Sequence, residues 1–536
     1  MFVAAHRGSR LHAPENSLHA LLAGYTAGGE AIEFDLQLTL DGHVVLSHDG
    51  TIDRMTGLDG DLAVGGMTLA QLREHDYSPG LARFRRWPDF AYHRSESDKV
   101  GICTLEEAID ALPTDVPKLI ELKTESTIGT ARVEELVETT VQILRSRGVI
   151  AGCVTYSMDP EVVRLIRLTA ADLRVCAFDY KLDIGEQLGL MRSLDADGLV
   201  IQHKDVFQES GELTAFGAQL QEEHDRRSLR VGAVLYPFRE LGVPWVISPE
   251  ELQVMREHSF VWSCATDSMI AVEGYAREGW TWFQSTFEGR AEDEASVALG
   301  HAKSGEFCRV FQEDGVHVIL EPFTGNPEPG QGEGLEGRVA DLEEQMLYAL
   351  KTWPYYSGGG LAVREPLRGD FVAEVDYAVR RPLTQAVTLE MAVVNVDPKD
   401  DKRSFHDPVF DPHGAPPYVG VEHDEDDGYR INWNLGSQYE NNRYGAPVGD
   451  GGAPTSGRLR LERRGSYFAA YYRNEVGAPD WICVGAVRNE SLNEAVFLRC
   501  VAKRWRQRRP GGEGFHPIET NEVVFRELVI RRYGPG

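Results

Sequence analysis

Four short stretches near the start of the chain bring together residue types that can do chemistry: Phe2-Val3-Ala4-Ala5-His6-Arg7-Gly8, Pro14-Glu15-Asn16-Ser17, Ile32-Glu33-Phe34-Asp35-Leu36 and Leu46-Ser47-His48-Asp49. The first reads as an apolar strand ending in a histidine, an arginine and a glycine, and the second as a helix start. The third is a strand with two carboxylates one residue apart, and the fourth a strand ending in a second histidine. Side chains at i and i+2 of a strand point to the same side, so Glu33 and Asp35 can bind one hard cation between them. Imidazole titrates near neutrality, so His6 and His48 at neighbouring strand ends could serve as an acid and a base.

These residues need elements to hold them. A helix over 15–25 is expected to stop at Gly28-Gly29, and Asp41-Gly42 turns one strand into the next as a hairpin. Residues 50–100, rich in glycine and charge and including Trp87-Pro88, read as an insertion rising over the strand ends. Thr104-Leu105-Glu106-Glu107 is a capping box. Strands at 118–122, 154–157, 173–178, 198–201, 231–235, 261–264 and 280–283 follow, with helices at 133–144 and 160–168 among them. Such alternation predicts a parallel sheet, and about 290 residues suit one (β/α)8 TIM barrel. The count runs one or two strands over eight. Active sites of such barrels lie at the C-terminal strand ends, where His6, Asp35, His48 and Lys123 fall.

The four stretches, with Glu121-Leu122-Lys123 later, resemble the glycerophosphodiester phosphodiesterase family over roughly the first 290 residues. That family's pattern is HRG, PEN[TS], E-x-D, HD and a later E-x-K, matched here by His6-Arg7-Gly8, Pro14-Glu15-Asn16-Ser17, Glu33-Phe34-Asp35, His48-Asp49 and Glu121-Leu122-Lys123. The resemblance implies metal-dependent hydrolysis of glycerophosphodiesters to sn-glycerol 3-phosphate and an alcohol. It implies His6 and His48 as catalytic, one taking the proton of the attacking oxygen and the other supplying the leaving alcohol. The attacker is water, or the substrate's own hydroxyl by way of a cyclic phosphate. Glu33, Asp35 and Glu121 would hold one divalent cation, and an all-oxygen set favours Ca2+ or Mg2+ over zinc or copper. Arg7 and Lys123 would hold the phosphate, Asn16 would orient the loop and His6, and Trp262, in Trp262-Ser263, would wall the site. Two departures stand out: the fifth strand ends Ser157-Met158, and the usual Thr-Asp after the last strand is missing from Gln284-Ser285-Thr286.

The formal net charge of −29 argues against nucleic-acid or anionic-membrane partners, and it requires any phosphate site to carry its own cations. Seven cysteines without a CxxC pair suggest neither a disulfide framework nor a zinc site. No stretch reaches the eighteen or so apolar residues that span a bilayer. With no basic-apolar leader before the first strand, a cytoplasmic location is expected, or secretion if the N-terminus is processed.

Beyond residue 300 the helical period largely vanishes. Residues 291–350 read as a linker, and Gly330-Gln331-Gly332-Glu333-Gly334 in it has neither the lysine nor the preceding strand of a phosphate loop. Residues 351–536 carry short alternating runs between turns, which predicts an antiparallel β-sandwich, and the run 458–467 looks like the concanavalin-type jelly-roll modules. Such a module could bind a glycan through Trp433, Tyr439, Tyr444 and Trp505, or be structural, and the acidic loop 422–427 could hold calcium, though it reads first as a solvated turn. Two alternatives accompany the hydrolase: phospholipase D-like (sphingomyelinase D-type) cleavage of a lysolipid headgroup, which an apolar rim would favour, and a glycan-binding protein whose barrel is an inactive scaffold.

Overall fold

The computed structural model describes residues 1–85, 92, 99–126, 129–237, 244–288, 296–301, 308–321, 357–381, 387–397, 417–424, 428–436, 442–445, 448–449, 456–474, 480–504 and 519–534. The chain divides into two compact units, Met1–Glu278 and Gly279–Gly536.

The strands of the first unit are β1 (Phe2–Ala5), β2 (Ala31–Leu38), β3 (Val44–Leu46), β4 (Lys118–Leu122), β5 (Cys153–Ser157), β6 (Arg174–Ala177), β7 (Gly198–Gln202), β8 (Gly232–Tyr236) and β9 (Val261–Thr266). Eight of them run parallel in the order β1-β9-β8-β7-β6-β5-β4-β2, and β2 pairs with β1 to close the ring. β3 alone is antiparallel, folded back on β2 through the predicted turn, where Gly42 adopts φ +84°. It is one of the surplus strands. The other, predicted at 280–283, belongs to the second unit. Strands covered on both faces must be apolar almost throughout, and β2, β4, β5 and β9 are buried at every position.

Helices α1 (Leu18–Thr26), α2 (Asp53–Thr56), α3 (Leu69–Leu72), α4 (Pro79–Arg85), α5 (Leu105–Ala111) and α6 (Thr130–Ser146) accompany the first half of the barrel. α7 (Pro160–Thr169), α8 (Ile184–Ser193), α9 (His203–Val206), α10 (Ala215–Arg227), α11 (Pro249–Arg256) and α12 (Met269–Ala276) follow. The capping box at Thr104 opens α5 with both reciprocal bonds. α1 begins three residues later than predicted, because Ser17 caps it and Asn16 turns to φ +56°. The 50–100 insertion has a small core of its own: Val45, Ile52, Met55, Val64, Leu72, Tyr77 and Ile102 pack together beneath α2–α4. Trp87 and Pro88 lie outside the described residues.

The described residues of the second unit are all β in their regular structure. It begins with β10 (Gly279–Ser285), β11 (Val297–His301), β12 (Cys308–Gln312), β13 (Val316–Leu320), β14 (Ser357–Val363), β15 (Leu367–Arg368) and β16 (Asp370–Arg381). It continues with β17 (Val387–Val394), β18 (Tyr418–Asp424), β19 (Gly428–Asn434), β20 (Asn442–Tyr444), β21 (Ser456–Arg464), β22 (Tyr467–Asn474), β23 (Ile482–Arg488), β24 (Ala495–Arg504) and β25 (Asn521–Tyr533). One sheet runs β12-β13-β25-β16-β21-β22-β23 with β10 on β25, and the other β11-β14-β24-β17-β18-β19-β20 with β15 on β24. β17 and β18 lie against β21 and β22, so the two sheets form a sandwich.

Here the linker prediction is corrected. β10–β13 fall in or before 291–350 and are strands of the sandwich: β10 and β13 pair with β25 and β11 with β14, far along the chain where local reading does not see them, and β12 pairs with β13. The boundary lies at 278/279 instead of 290. Residues 322–350, with the glycine-rich run, lie outside the described residues. So do Tyr439, Trp505, the Tyr444 side chain and residues 425–427. Glu422 is no turn residue: it is buried on β18, accepting from Arg430 Nε (2.6 Å) and Asn432 Nδ2 (2.8 Å).

Candidate active site

The barrel's closure decides which side chains meet. Ala5 stands beside Ile32, so the next residues, His6 and Glu33, are neighbours across β1 and β2. Asp35 and Glu121 are register partners across β2 and β4. Glu33, Asp35 and Glu121 each offer an oxygen, all within 4.8 Å of one another, and all three are buried. A hairpin brings the second histidine back: Ser47 N–H donates to Asp35 O (3.1 Å), which sets His48 at the same strand ends.

The turn after β1 is as specific as the strands. His6 N–H donates to Thr266 O (2.9 Å), and Arg7 and Gly8 then take φ +52° and +78°. Left-handed backbone is costly for arginine, but here it delivers the Arg7 N–H to Glu33 Oε2 at 2.8 Å. A Cβ on Gly8 would sit 2.3 Å from the Ala20 carbonyl carbon. Gly8→Ala should therefore destabilise the barrel by about 2–3 kcal/mol, read as a lower denaturation midpoint; an unchanged midpoint would refute the packing described.

Cations interleave with the carboxylates. Arg7 reaches Glu15 Oε1 (2.9 Å) and Asp35 Oδ2 (3.3 Å), and Lys123 reaches Glu121 Oε1 (2.8 Å) and Asp35 Oδ1 (3.7 Å). Asn16 Nδ2 donates to Asp35 Oδ2 (2.9 Å), and its carbonyl oxygen accepts from Asp35 N–H (3.2 Å). Burial pushes the Asp35 carboxyl up, but Arg7, His48 and Lys123 outweigh it and hold the group well below the carboxylate range. Glu33 goes the other way: burial and then Asp35 raise it well above. Burial also raises Glu121, to about 7 against the pull of Lys123. Burial thus favours the neutral form at two of the three adjoining carboxyls, the direction expected where positive charge is short. The donor set is all oxygen, with no thiolate or imidazole among the three, so the residues present fit a hard divalent cation.

Both histidines have one nitrogen held. His6 Nδ1 lies 2.7 Å from Asp267 Oδ1 and its Nε2 3.8 Å from Glu33 Oε2. Burial and the Arg10 guanidinium push His6 down to about 3, against the Asp267 hydrogen bond, so its ring is neutral at pH 7. His48 Nδ1 lies 2.6 Å from Asp49 Oδ1, and burial and Arg7 lower it as well. His48 is the more open of the two, its side chain 31% exposed against 4% for His6.

The structure brings His6, Arg7, Asn16, Glu33, Asp35, His48, Glu121 and Lys123 into one cluster. Trp262 is not among them. It is the second residue of β9, its ring edge-on to Phe2 at 5.2 Å, at the strand starts and therefore at the opposite end of the barrel from His6. The last barrel strand is β9, and Thr266-Asp267 ends it.

Several site residues carry no local sequence signal. Tyr156 donates to Glu33 Oε1 (2.9 Å), and Tyr236 in turn donates to the Tyr156 oxygen (2.7 Å). Trp245 stacks on His6, and Arg54 ties Asp49 to Glu15. Tyr156 and Tyr236 are marked only by their places near the ends of β5 and β8, Trp245 by the loop after β8 and Arg54 by α2, and seeing that they converge requires knowing which strands close the barrel. Glu15 was visible in its motif, but its role as partner of Arg7 was not.

Residues 6–204 match the profile of the glycerophosphoryl diester phosphodiesterase family. A glycerophosphodiester phosphodiesterase of Caldanaerobacter subterraneus is 42% identical over 74 residues, which is 14% of this chain and 30% of that protein. Glycerophosphodiester phosphodiesterase 1 of Homo sapiens is 30% identical over 172 residues, 32% of this chain and 46% of its own length. The chain thus spans less than half the length of these curated relatives. Among solved structures, an Oleispira antarctica phosphodiesterase in complex with the product sn-glycerol-3-phosphate aligns with TM-score 0.39 and 19% identity, over 51% of this chain and 95% of that one. A Thermotoga maritima glycerophosphodiester phosphodiesterase aligns with TM-score 0.36 and 20% identity, over 50% and 95%.

Proposed function

We propose, from the match of residues 6–204 to the glycerophosphoryl diester phosphodiesterase family, that the barrel hydrolyses glycerophosphodiesters to sn-glycerol 3-phosphate and an alcohol. The observation that carries this is the buried convergence of Glu33, Asp35 and Glu121 between two carboxylate-held histidines and two cations. The three carboxylates would hold one Ca2+ or Mg2+. Bound there, such an ion polarises a phosphoryl oxygen and offsets charge as it develops.

The chain's own side chains supply the rest. Arg7 presents a fork and Lys123 a point charge to the remaining phosphate oxygens, and both already lie among the acids they would share with substrate. His6 Nε2 and His48 Nε2 are the nitrogens left free of the aspartates, so proton traffic passes through these two atoms, one accepting from the attacking oxygen and the other donating to the leaving alcohol. Asn16, bonded twice to Asp35, keeps that carboxylate facing inward. Tyr156 does the same for Glu33.

A second substrate class is favoured by one feature. On the segment from β6 to α8, Tyr180 and Ile184 are 64% and 39% exposed, and Phe178 packs edge-on to Tyr156, which holds Glu33. An apolar ledge leading from the carboxylate cluster suits the chain of a lysophospholipid.

The test is hydrolysis of a panel (glycerophosphocholine, glycerophosphoethanolamine, glycerophosphoglycerol and lysophosphatidylcholine) with EDTA, then with Ca2+ or Mg2+ restored. We expect glycerol phosphate or lysophosphatidate only when a cation is present. Glu121→Gln should abolish both the activity and the rise in thermal midpoint that the cation gives the wild type. Turnover that ignores EDTA, or no turnover of any member, would sink the proposal.

A further inference from the structure

Asp267 lies 261 residues from His6 in sequence, and the two meet because the first and last barrel strands adjoin. Asp267 is wholly buried, and each of its oxygens is engaged. Oδ1 faces His6 Nδ1 at 2.7 Å and Arg10 Nε at 2.6 Å; Oδ2 accepts from Arg10 Nη2 at 3.0 Å and from the Trp245 backbone N–H at 2.7 Å. A carboxylate so surrounded by donors has one orientation and only accepts. The proton between it and the imidazole therefore sits on Nδ1, and Nε2 keeps its lone pair.

The ring plane is fixed too. The Trp245 indole lies parallel to the imidazole, 4.7 Å between centroids at 8°, and Tyr236 stands edge-on at 5.4 Å. Arg10 is held in turn by the faces of Phe84 (4.4 Å) and Trp245 (5.3 Å). Phe84 belongs to α4, so the insertion supplies one wall of the assembly that supports Asp267.

We infer that Asp267 is a positioning residue: backed by Arg10 and the Trp245 N–H, it commits His6 to the Nδ1–H tautomer and turns Nε2 toward Glu33 and the substrate. The side chain touches no reacting atom and acts through the imidazole, as the aspartate of a Ser-His-Asp triad does. The kinetic consequence rests on the hydrolase proposed above; the tautomer does not.

Asp267→Asn keeps the shape and reverses one bond. The amide oxygen can still accept from Arg10 Nη2 and Trp245 N–H, while the NH2 in the place of Oδ1 gives up the Arg10 Nε contact and donates to His6 Nδ1, which moves the imidazole proton to Nε2. Two measurements on the full chain decide the matter. Histidine-selective 15N NMR, with His6 assigned by its loss in His6→Gln, should find Nδ1 protonated in the wild type and Nε2 protonated in Asp267→Asn. With glycerophosphocholine and Ca2+, Asp267→Asn should lose at least about 10²-fold in kcat with KM within about twofold and the Ca2+-induced thermal shift intact, and Asp267→Glu should recover part of the loss. Wild-type His6 protonated on Nε2 overturns the inference, as does Asp267→Asn with kcat within about threefold of wild type. If Asp267→Asn does not fold, the wild-type spectrum still decides. If the wild type hydrolyses nothing, the proposed function falls while the spectrum continues to test the tautomer.

Discussion

A His48→Gln variant should hydrolyse glycerophosphodiesters about 10²–10⁴-fold more slowly than the wild type and unfold at the same temperature. The kinetic loss is what removal of one proton-transfer group costs, on the order of 3–5 kcal/mol in the barrier. Stability is spared because His48 is half-buried at the end of a hairpin, and its main neighbour, Asp49, keeps Arg54 as a partner. Glutamine at 48 can donate to Asp49 but cannot carry a proton through the reaction. The same change at His6 should show a similar kinetic loss together with a fall in thermal midpoint, since His6 is fully enclosed and is one of the donors that Asp267 depends on. Steady-state kinetics beside thermal melts separates the two positions. A His48→Gln enzyme within about tenfold of wild-type kcat would remove His48 from the chemistry.

The second large effect lies in the sandwich. Glu390 on β17 is wholly buried and ion-paired with Arg499 (3.0 Å) and Lys503 of β24, themselves almost fully enclosed. Lys503 reaches Glu422 at 3.5 Å as well. Removing one member of such a group strands the others in a medium that cannot solvate them. Glu390→Gln should therefore cost the second unit about 3–5 kcal/mol at neutral pH, seen as an earlier denaturant transition for that unit. The pH dependence has a definite sign. Burial raises the Glu390 carboxyl, but Lys503 and then Arg499 outweigh it and bring it down to about 2, against about 4.3 for an unfolded chain. A group depressed on folding contributes stability above its unfolded value and loses it as the pH falls through the folded one. Wild-type sandwich stability should thus decline between about pH 4.5 and 2, and the Glu390→Gln variant should decline less over that span. Equal slopes for the two proteins would contradict the pairing.

The cluster of candidate site residues was legible in the sequence because its members sit in short motifs whose internal spacing is their geometry. Glu33 and Asp35 face one way because a strand has a period of two, and His48 returns to Asp35 because Asp41-Gly42 turns the chain tightly. The barrel was legible for a related reason, since each strand–helix unit advertises itself locally. The last barrel strand was sought too far along the chain, because without the pairing it was not apparent that β3 and β10 stand outside the ring; Trp262 was misplaced because it sits at the start of β9 and not at its end.

What the sequence by itself determined is the inventory at the strand ends, the acid pair, the two histidines and the cations, because residues one or two apart in a strand need no tertiary fold to share a side. Only the closed ring decided who meets across it. Asp267, Trp245, Tyr156 and Tyr236 reach His6 and Glu33 from strands and loops far along the chain, and β11 and β13 find their partners at β14 and β25. Such contacts depend on long-range strand register, which no local period encodes.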